Sequence, residues 1–300
     1  MGVAQARAKL LLFGEHAAVY GYPAVGYSLP WVLRVAHFPA ERWELPGLGP
    51  YEQPVRTLVA RLVEQARSEG LPVPVPGRLE FSTDIPVASG FGSSGALCAC
   101  LVNLFFGALP LADRDRLAWM AEGQFHGTPS GIDTALALRE GWWAFDTTTR
   151  PVRATELSDP HLALITGALV RRSDTRTLVA SVAARRAAGD RAVLDALEAL
   201  GAVAAQAVAG WTGWDAPGLA ALVTRARTGL QALGLETPGL TRVLEAGLAC
   251  PGALAAKLSG AGGGGAFLVL FASCRAARAA LPAIETAAPD TDWSAKPRLV

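Results

Sequence analysis

A glycine- and serine-rich loop runs directly into an uncharged, apolar stretch of this chain of 300 residues. The loop, residues 86–95, reads Pro-Val-Ala-Ser-Gly-Phe-Gly-Ser-Ser-Gly, and the apolar stretch continues to residue 112. Glycines at 90 and 92 would let backbone N–H groups approach a ligand closely, while Ser93 and Ser94 place hydroxyls at the start of a helix. Because the first N–H groups of a helix are unpaired and its dipole is positive there, the segment predicts a phosphate cradle.

Other interpretations of this segment stay open. No Gly-Lys-Ser/Thr follows, so it is not a Walker A loop, and a dinucleotide fingerprint would need a strand directly before it within a βαβ unit. A helix cap without any ligand would use the same residues. The apolar stretch 95–112 is the only membrane-length candidate that we identify, but it contains Asn103 and Pro110 and is short of about 20 apolar residues. We therefore expect a buried helix and no membrane association.

Composition removes several classes of protein. Lys and Arg number 27 against 26 Asp and Glu, which gives a net charge of +1 and argues against a nucleic-acid or polybasic membrane binder. With 51% hydrophobic residues, the chain is not of a disordered composition. Its four cysteines show neither a disulfide framework nor zinc-ligand spacing. The composition fits the reducing environment of the cytoplasm, where we expect the protein to act.

Two further segments carry candidate chemistry. In residues 126–133, His-Gly-Thr-Pro-Ser-Gly-Ile-Asp, the carboxylate of Asp133 could accept a proton from a substrate hydroxyl, or it could satisfy helix N–H groups. Residues 257–265, Lys-Leu-Ser-Gly-Ala-Gly-Gly-Gly-Gly, precede an apolar strand. Four consecutive glycines carry a large entropic cost, so they favour close approach of the backbone to a ligand over a flexible turn.

Periodicity and turn residues outline the organisation of the chain. We predict strands within 8–33, at 79–83 and at 141–145, helices at 52–69, 95–112 and 113–125, a helical region over 174–249 broken near 210–217 and 234–239, strands flanking a glycine loop within 255–271, and a final helix with a tail. Late helical enrichment after alternating strands and helices suggests a two-domain α+β architecture. We place the domains at 1–155 and 156–300.

A fourth segment gives these motifs a family context. Residues 9–24 read Lys-Leu-Leu-Leu-Phe-Gly-Glu-His-Ala-Ala-Val-Tyr-Gly-Tyr-Pro-Ala, and they precede the other three segments in order. Together the four resemble the signature motifs of the GHMP small-molecule kinases, most narrowly the mevalonate kinases. Residues 169–179, Leu-Val-Arg-Arg-Ser-Asp-Thr-Arg-Thr-Leu-Val, are also similar to that family. The resemblance covers residues 9 to about 270, which is most of the chain.

The resemblance implies a fold and a reaction. The fold has an N-terminal domain like the second domain of ribosomal protein S5 and a ferredoxin-like C-terminal domain, with ATP bound between them. The reaction is the transfer of a phosphoryl group from ATP, with Mg²⁺, to a small alcohol, and mevalonate is the acceptor that the motifs favour. Alternatives are a kinase of phosphomevalonate, homoserine or a sugar, or a non-catalytic member that acts as a binding protein. A homodimer is expected, although no motif tests it.

The resemblance also assigns residues. Asp133 is the implied catalytic carboxylate and Lys9 its partner. The implied phosphate-binding residues are Pro86, Ser89, Gly90, Phe91, Gly92, Ser93 and Ser94. The implied substrate-side residues are Glu15, His16, Ser259, Gly260, Ala261 and Gly262, with His16 toward the carboxylate of mevalonate. The implied magnesium ligands are Ser94 and Glu122.

Some positions depart from the family pattern. Phe91 stands where leucine is usual, Gly95 where alanine is usual, and Tyr-Ser-Leu-Pro-Trp at 27–31 replaces the usual polar run. The pair Arg171 and Arg172 could supply the basic residues that a phosphorylated acceptor needs, or could simply cap a helix.

Overall fold

The computed structural model describes residues 2–125, 129–171 and 175–300. The strands are β1 (Gly2–Phe13), β2 (Ala24–Pro39), β3 (Gly77–Thr83), β4 (Gly141–Asp146), β5 (Arg153–Leu157), β6 (Ala163–Leu169), β7 (Ala253–Leu258), β8 (Gly265–Phe271) and β9 (Trp293–Leu299). The helices are α1 (Glu52–Glu69), α2 (Ser93–Phe106), α3 (Leu111–Glu122), α4 (Ile132–Ala137), α5 (Thr175–Ala187), α6 (Arg191–Ala209), α7 (Ala216–Ala232), α8 (Pro238–Leu248) and α9 (Cys274–Glu285).

The first sheet is antiparallel and centres on the long strand β2. Strand β1 pairs along one edge of β2, while β3 and β4 share the other edge and β5 extends the sheet beyond β4. The predicted strands of this half are all present. Strand β5 was not predicted, because its sequence, Arg-Ala-Thr-Glu-Leu, is polar and mostly exposed. The expected domain boundary at residue 155 lies within β5, and the division into two domains stays a prediction.

The second sheet has the strand order β7-β8-β6-β9, and all of its pairings are antiparallel. Helices α5–α8 connect β6 to β7, and α9 connects β8 to β9. This βαββαβ order is the ferredoxin-like arrangement that the family resemblance implied. The fold as a whole combines helices and strands, as predicted. Strand β9 occupies what we had expected to be a tail.

Helix α2 forms the core of the first half. It carries no charged residue, and its buried side chains pack against β1, α3 and α4. It ends at Phe106, with Gly107 following, so it spans 14 residues and is shorter than the predicted 95–112. Truncating a buried leucine such as Leu101 in a core of this kind costs about 2–5 kcal/mol.

By length and composition, the membrane-length candidate among the described residues is α6 instead of the stretch 95–112. Its apolar face is used inside the protein, because Val193, Leu197 and Leu200 are buried against the neighbouring helix α7 and the first sheet. At Gly201 a side chain would collide with the ring of Tyr22, at 2.1 Å from its Cδ1. Helix α6 therefore packs directly on the first sheet, while its neighbour α7 packs on β7 of the second sheet.

The cysteines behave as the composition suggested. Cys98 and Cys100 are buried free thiols in α2, and Cys250 and Cys274 are also free. Burial raises the pKa of Cys100 to about 12. A thiol with such a pKa stays protonated near neutral pH and acts as a small apolar side chain.

Candidate active site

The glycine–serine loop is clamped to strand β1. The backbone N–H of Lys9 donates to the carbonyl of Phe91 at 3.0 Å, and Gly92, with φ of +74°, forms the N-cap of α2. A Cβ atom at Gly92 would lie 2.7 Å from Cγ of Lys9. Only glycine fits this contact and this backbone conformation, so the loop brings the open N-terminus of α2 against the Lys9 side chain.

Two of the departures from the family pattern pack against each other. Phe91 is fully buried, and its ring meets that of Trp31 edge to face, with centroids 4.8 Å apart. Edge-to-face contacts of this kind are favourable for aromatic rings. The ring of Phe91 in the loop and the ring of Trp31 on β2 therefore pack together.

The carboxylate of Asp133 faces the amine of Lys9. Their closest atoms, Oδ1 and Nζ, are 3.2 Å apart, and the side chains are 23% and 7% exposed, respectively. Gly131, with φ of +81°, begins α4, and Asp133 follows in its first turn. The pair is thus anchored within β1 and in the first turn of α4, while the carboxylate remains accessible.

Gly95 explains how Asp133 comes so close to the phosphate loop. A Cβ atom at this position would lie 2.9 Å from Cβ of Asp133 and 3.2 Å from the backbone N of Thr134. These neighbours are backbone or nearly so, and they cannot rotate away. The third departure from the family pattern therefore lets α2 and α4 approach each other more closely than alanine would allow.

A second carboxylate lies beside this pair. Glu122, at the C-terminal end of α3, is 2% exposed, and its Oε2 accepts a hydrogen bond of 3.3 Å from the hydroxyl of Thr134. Burial, reinforced by the charge of Asp133, raises the pKa of Glu122 to about 8. A buried carboxyl group that is short of positive charge is a candidate ligand for a cation.

Glu15 and Lys257 form a sealed ion pair below the same site. Both side chains are 0% exposed, and Nζ of Lys257 also donates to the carbonyl of Leu258 at 2.8 Å. Among the described residues, Oε2 of Glu15 has no hydrogen-bond partner. Burial lowers the pKa of Lys257, and the charge of Glu15 opposes that shift. The pair joins the loop after β1 to strand β7.

Two further contacts join the same segments. Ser259 Oγ accepts from the N–H of Leu11 at 2.9 Å and donates to the carbonyl of Leu11 at 3.0 Å. Nε2 of His16 lies 3.1 Å from the carbonyl of Ala261, so that nitrogen carries a proton. Burial lowers the pKa of His16, whose backbone φ of +57° is unusual for a residue with a side chain.

These elements surround a cleft of about 1280 Å³ between the two halves. The predicted site residues that line it are Lys9, Glu15, His16, Gly90, Gly92, Ser93, Ser94, Glu122, Asp133, Gly260 and Ala261. Those that do not line it are Pro86, Ser89, Phe91, Ser259 and Gly262. Ser89 is buried and donates to the carbonyl of Val87, and a Cβ at Gly262 would collide with Leu235. These five positions shape the loops and do not face the cleft.

Comparison with known proteins identifies the fold and the family. The GHMP kinases N-terminal domain model matches residues 55–141, and the GHMP kinases C-terminal model matches residues 215–290. The chain is 29% identical to mevalonate kinase of Archaeoglobus fulgidus, over 90% of this chain and 92% of that one. The chain belongs to the GHMP kinase family. It is therefore a small-molecule kinase that uses ATP.

Solved structures agree with the fold of this GHMP kinase. The L. major mevalonate kinase, in complex with R-mevalonate, superposes with a TM-score of 0.81 at 20% identity, covering 100% of this chain and 94% of that one. The Streptococcus pneumoniae phosphomevalonate kinase superposes with a TM-score of 0.79 at 15% identity, covering all of both chains. At these identities the superpositions support the architecture alone.

The cleft of this GHMP kinase also contains two arginines of the family-like segment 169–179 that were not among the predicted site residues. Arg171 follows β6 and Arg176 lies on α5, and both line the cleft. Of the predicted motif 126–133, residues 126–128 lie outside the described residues, as does Arg172. No spacing rule in the sequence places Arg171 beside the phosphate loop, because its position depends on how the second sheet packs against the first.

Proposed function

We propose that this GHMP kinase phosphorylates the primary alcohol of mevalonate with ATP and forms 5-phosphomevalonate. The observation that carries the proposal is the Lys9–Asp133 pair, which faces the open N-terminus of α2 within one cleft. Mevalonate kinases at 26–29% identity over about nine-tenths of this chain support mevalonate as the acceptor. The acceptor is the finer part of the proposal, since kinases of other alcohols share the fold.

The residues of the site divide the reaction between them. The N–H groups of the loop and of the first turn of α2 would bind the phosphates of ATP, since that helix end is positive. Asp133 is exposed enough to meet the acceptor hydroxyl and to take its proton. Lys9 stabilises the negative charge on the group in transit, because its ammonium is held in place before the reaction begins.

Glu122 at the end of α3 and Ser94 in the first turn of α2 carry oxygen atoms that would fit a magnesium ion. Mg²⁺ is held by one or two protein oxygens together with phosphate oxygens and water, so Ser94 and Glu122 are a sufficient set. In the part of the chain that the structure describes, no group of three or more His, Cys, Asp or Glu side chains gathers as a larger metal site. When bound, the ion would neutralise charge on the phosphates of ATP. It would also favour the ionised form of Glu122, whose pKa is raised without it.

The geometry refines the role of His16. Its Nε2 proton is donated to the carbonyl of Ala261, and burial favours the neutral ring. The other ring nitrogen, Nδ1, is then a hydrogen-bond acceptor, which suits a hydroxyl group better than a carboxylate. We propose that His16 accepts from the tertiary hydroxyl of mevalonate and does not bind its acid end. Either contact would bind the acceptor while leaving ATP untouched.

A coupled assay for ADP formation with a panel of alcohols tests the proposal. Mevalonate is expected to be turned over with a kcat/KM at least tenfold above those of phosphomevalonate, homoserine and galactose, and Asp133→Asn serves as the inactive control. Turnover of another alcohol but not of mevalonate would contradict the proposed acceptor and leave the kinase reaction in place.

The use of ATP and the free cysteines support the proposal that the protein acts in the cytoplasm.

A further inference from the structure

We propose that Arg171 is a catalytic cation that contacts the phosphoryl group during its transfer. This inference rests on the kinase reaction and on the acceptor proposed above. None of the signature motifs contains this residue, which lies just beyond β6 in the second half of the molecule. Its guanidinium reaches into the cleft toward the phosphate loop of the first half.

Two glycines make room for the guanidinium, one in each of the loops that enclose the phosphate end of the cleft. A Cβ atom at Gly90, in the phosphate loop, would lie 2.7 Å from Nη2 of Arg171. A Cβ atom at Gly265, the last of the run of glycines and the first residue of β8, would lie 2.5 Å from its Nε. Both glycines have positive φ values, so neither position accepts a side chain easily. Arg171 therefore fills a space where the two loops meet.

The position of Lys9 shows what this space faces. From Gly260, the point where a Cβ atom would stand is 3.8 Å from Nζ of Lys9 and 3.9 Å from Nη2 of Arg171. The two cations, one from β1 and one from the segment after β6, thus lie close to the same point. The charge of Asp133 acts on the Arg171 guanidinium and opposes the effect of burial on its pKa. Base, lysine and arginine converge where a phosphoryl group would cross from ATP to the acceptor.

The hydrogen-bonding capacity of Arg171 is only partly used. Nη1 donates to the hydroxyl of Thr175 at 2.7 Å, while Nε is buried and has no partner among the described residues. The structure likewise shows no ion pair of Arg171 with a carboxylate in the ranges 2–125, 129–171 and 175–300. A buried guanidinium with open donors suits an anion with several oxygens, and arginine binds phosphate through its planar fork.

The group transfer balances with Arg171 as a donor of hydrogen bonds only. The acceptor oxygen forms a bond to the γ-phosphorus, and the bond from that phosphorus to the bridging oxygen breaks. The electron pair of that bond leaves with ADP, and the hydroxyl proton passes to Asp133. Arg171 gains and loses nothing, but its positive charge faces the oxygens on which negative charge is greatest in transit.

Arg176 provides a matched control. It is also a cleft-lining arginine, on α5, but its Nη2 donates to the carbonyl of Phe125 at 3.2 Å, whereas Arg171 lies against Gly90 of the glycine–serine loop. If Arg171 acts only through the general positive potential of the cleft, Arg176→Gln and Arg171→Gln should have similar effects. If Arg171 contacts the group in transit, the two variants should differ strongly.

The test compares Arg171→Gln, Arg171→Gly and Arg176→Gln with the full-length parent. For Arg171→Gln we expect kcat to fall about 10²- to 10³-fold, as for loss of one preorganised donor, with KM values for ATP and acceptor changed less than about threefold. Binding of ADP with aluminium fluoride, measured by calorimetry, should weaken by a similar factor, while binding of ADP alone stays unchanged. Guanidinium ions should partly restore kcat of Arg171→Gly. Arg176→Gln should stay within about fivefold of the parent.

Several results would overturn the assignment. One is equal loss in the Arg171 and Arg176 variants, and another is a rise confined to the KM of the acceptor. Unaltered binding of the aluminium fluoride complex would also exclude it, and that measurement needs no acceptor. If the parent used an alcohol other than mevalonate, the proposed acceptor would fail, and the kinetic comparison would run on that alcohol. Thermal melting verifies folding, and should Arg171→Gln not fold, Arg171→Lys with the binding measurement decides.

Discussion

One lysine–carboxylate pair opens onto the cleft and a second lies buried beneath it, so the two differ in their access to solvent. Lys9 and Asp133 are 3.2 Å apart, with the carboxylate 23% exposed. Lys257 and Glu15 are both 0% exposed and are also in direct contact. The chemistry of the two pairs is the same, and both join distant parts of the chain. Their surroundings are what separate them.

Access to the cleft decides what each pair can do. The carboxylate of Asp133 can exchange its partner for a substrate hydroxyl and can take up a proton. Glu15 cannot, because its side chain is 0% exposed and is paired with Lys257. Removing one partner of a buried pair leaves a charge without compensation, which is far more costly than removing an exposed one. The comparison therefore supports the proposed role of the first pair in turnover, and it predicts that the second pair acts on stability.

The largest expected effect is on turnover. Asp133→Asn should lower kcat by about 10²- to 10⁴-fold, the range for loss of a general base. The melting temperature and the affinity for ATP should change little, because Asp133 acts on the acceptor and is partly exposed. Steady-state kinetics with calorimetric titration of ATP measures both. A kcat near that of the parent would remove Asp133 from the mechanism.

The sealed pair should respond in stability. Lys257→Met should lower the free energy of unfolding by about 3–5 kcal/mol, since it leaves the Glu15 carboxylate buried and unpaired. The double variant Glu15→Gln with Lys257→Met removes both charges and should regain most of that loss. Urea unfolding of the single and double variants gives the coupling free energy. Simple addition of the two single effects would contradict a direct pair.

Gly95→Ala should displace one partner of the Lys9–Asp133 pair without removing a charged group. The added methyl group would meet Cβ of Asp133 at 2.9 Å, so α4 must shift. We expect kcat to fall about tenfold or more, since small misplacements of a reacting group are costly, together with about 1–3 kcal/mol of stability. Kinetics and urea unfolding together measure these changes. An unchanged kcat would mean that α4 adapts without moving the carboxylate.

Glu122 should make the magnesium requirement depend on pH. Its pKa of about 8 means that binding of a cation must displace a proton below that pH. The magnesium concentration for half-maximal rate should therefore fall as pH rises from 6 toward 8, at most about tenfold per unit. The stability of the metal-free protein should depend on pH in the opposite direction. Folding favours the neutral carboxyl group of Glu122, so the free energy of unfolding should decline as pH rises from about 4.5 to 8.

The control for this prediction is Glu122→Gln. The variant should need more magnesium at every pH and should lose the pH dependence of that requirement. Magnesium titrations of the rate at several pH values test both statements. Identical titrations for variant and parent would show that Glu122 is not a ligand.

The smallest effect concerns His16. Because burial lowers its pKa below 6.5, the unfolded chain binds a proton more readily, and stability should fall as pH drops below 6.5. His16→Ala should remove that part of the acid sensitivity. It should also raise the KM for mevalonate about two- to tenfold, the scale of one neutral hydrogen bond, without altering that for ATP. Acid unfolding curves and KM values check these points, and equal changes in both KM values would indicate a packing role.

The sequence predicted features formed by residues close together along the chain, but not contacts between residues far apart in it. The phosphate loop was predictable because glycines, hydroxyls and a helix start stand next to one another. The ion pair of Glu15 and Lys257 was not, because 242 positions separate the partners and either residue alone is ordinary. Arg171 was considered only as a residue that could bind a phosphorylated acceptor or cap a helix, and its position beside the glycine–serine loop was missed for the same reason. Strand β9 was missed because its sequence, Trp-Ser-Ala-Lys-Pro-Arg-Leu, contains a proline and exposed charges.

Gly95 illustrates a different limit. From the sequence it was a change of shape in a loop. In the structure it sets the distance between α2 and Asp133. A glycine in a sequence indicates that a side chain would not fit at that position. Only the structure shows which neighbouring group occupies the space.

The bond between Ser259 and Leu11 has a consequence for how the protein is made. Its two residues stand 248 positions apart. At about 5–20 residues per second, the ribosome delivers the second roughly 12–50 s after the first. Throughout that interval, β1 and the glycine–serine loop have been made but residues 257–259 have not. Glu15 is then unpaired, because Lys257 is not yet part of the chain. A nascent chain that stops before residue 257 can therefore hold the glycine–serine loop and still lack the segment that completes the cleft, so we expect kinase activity to begin only after residues 257–259 have been made.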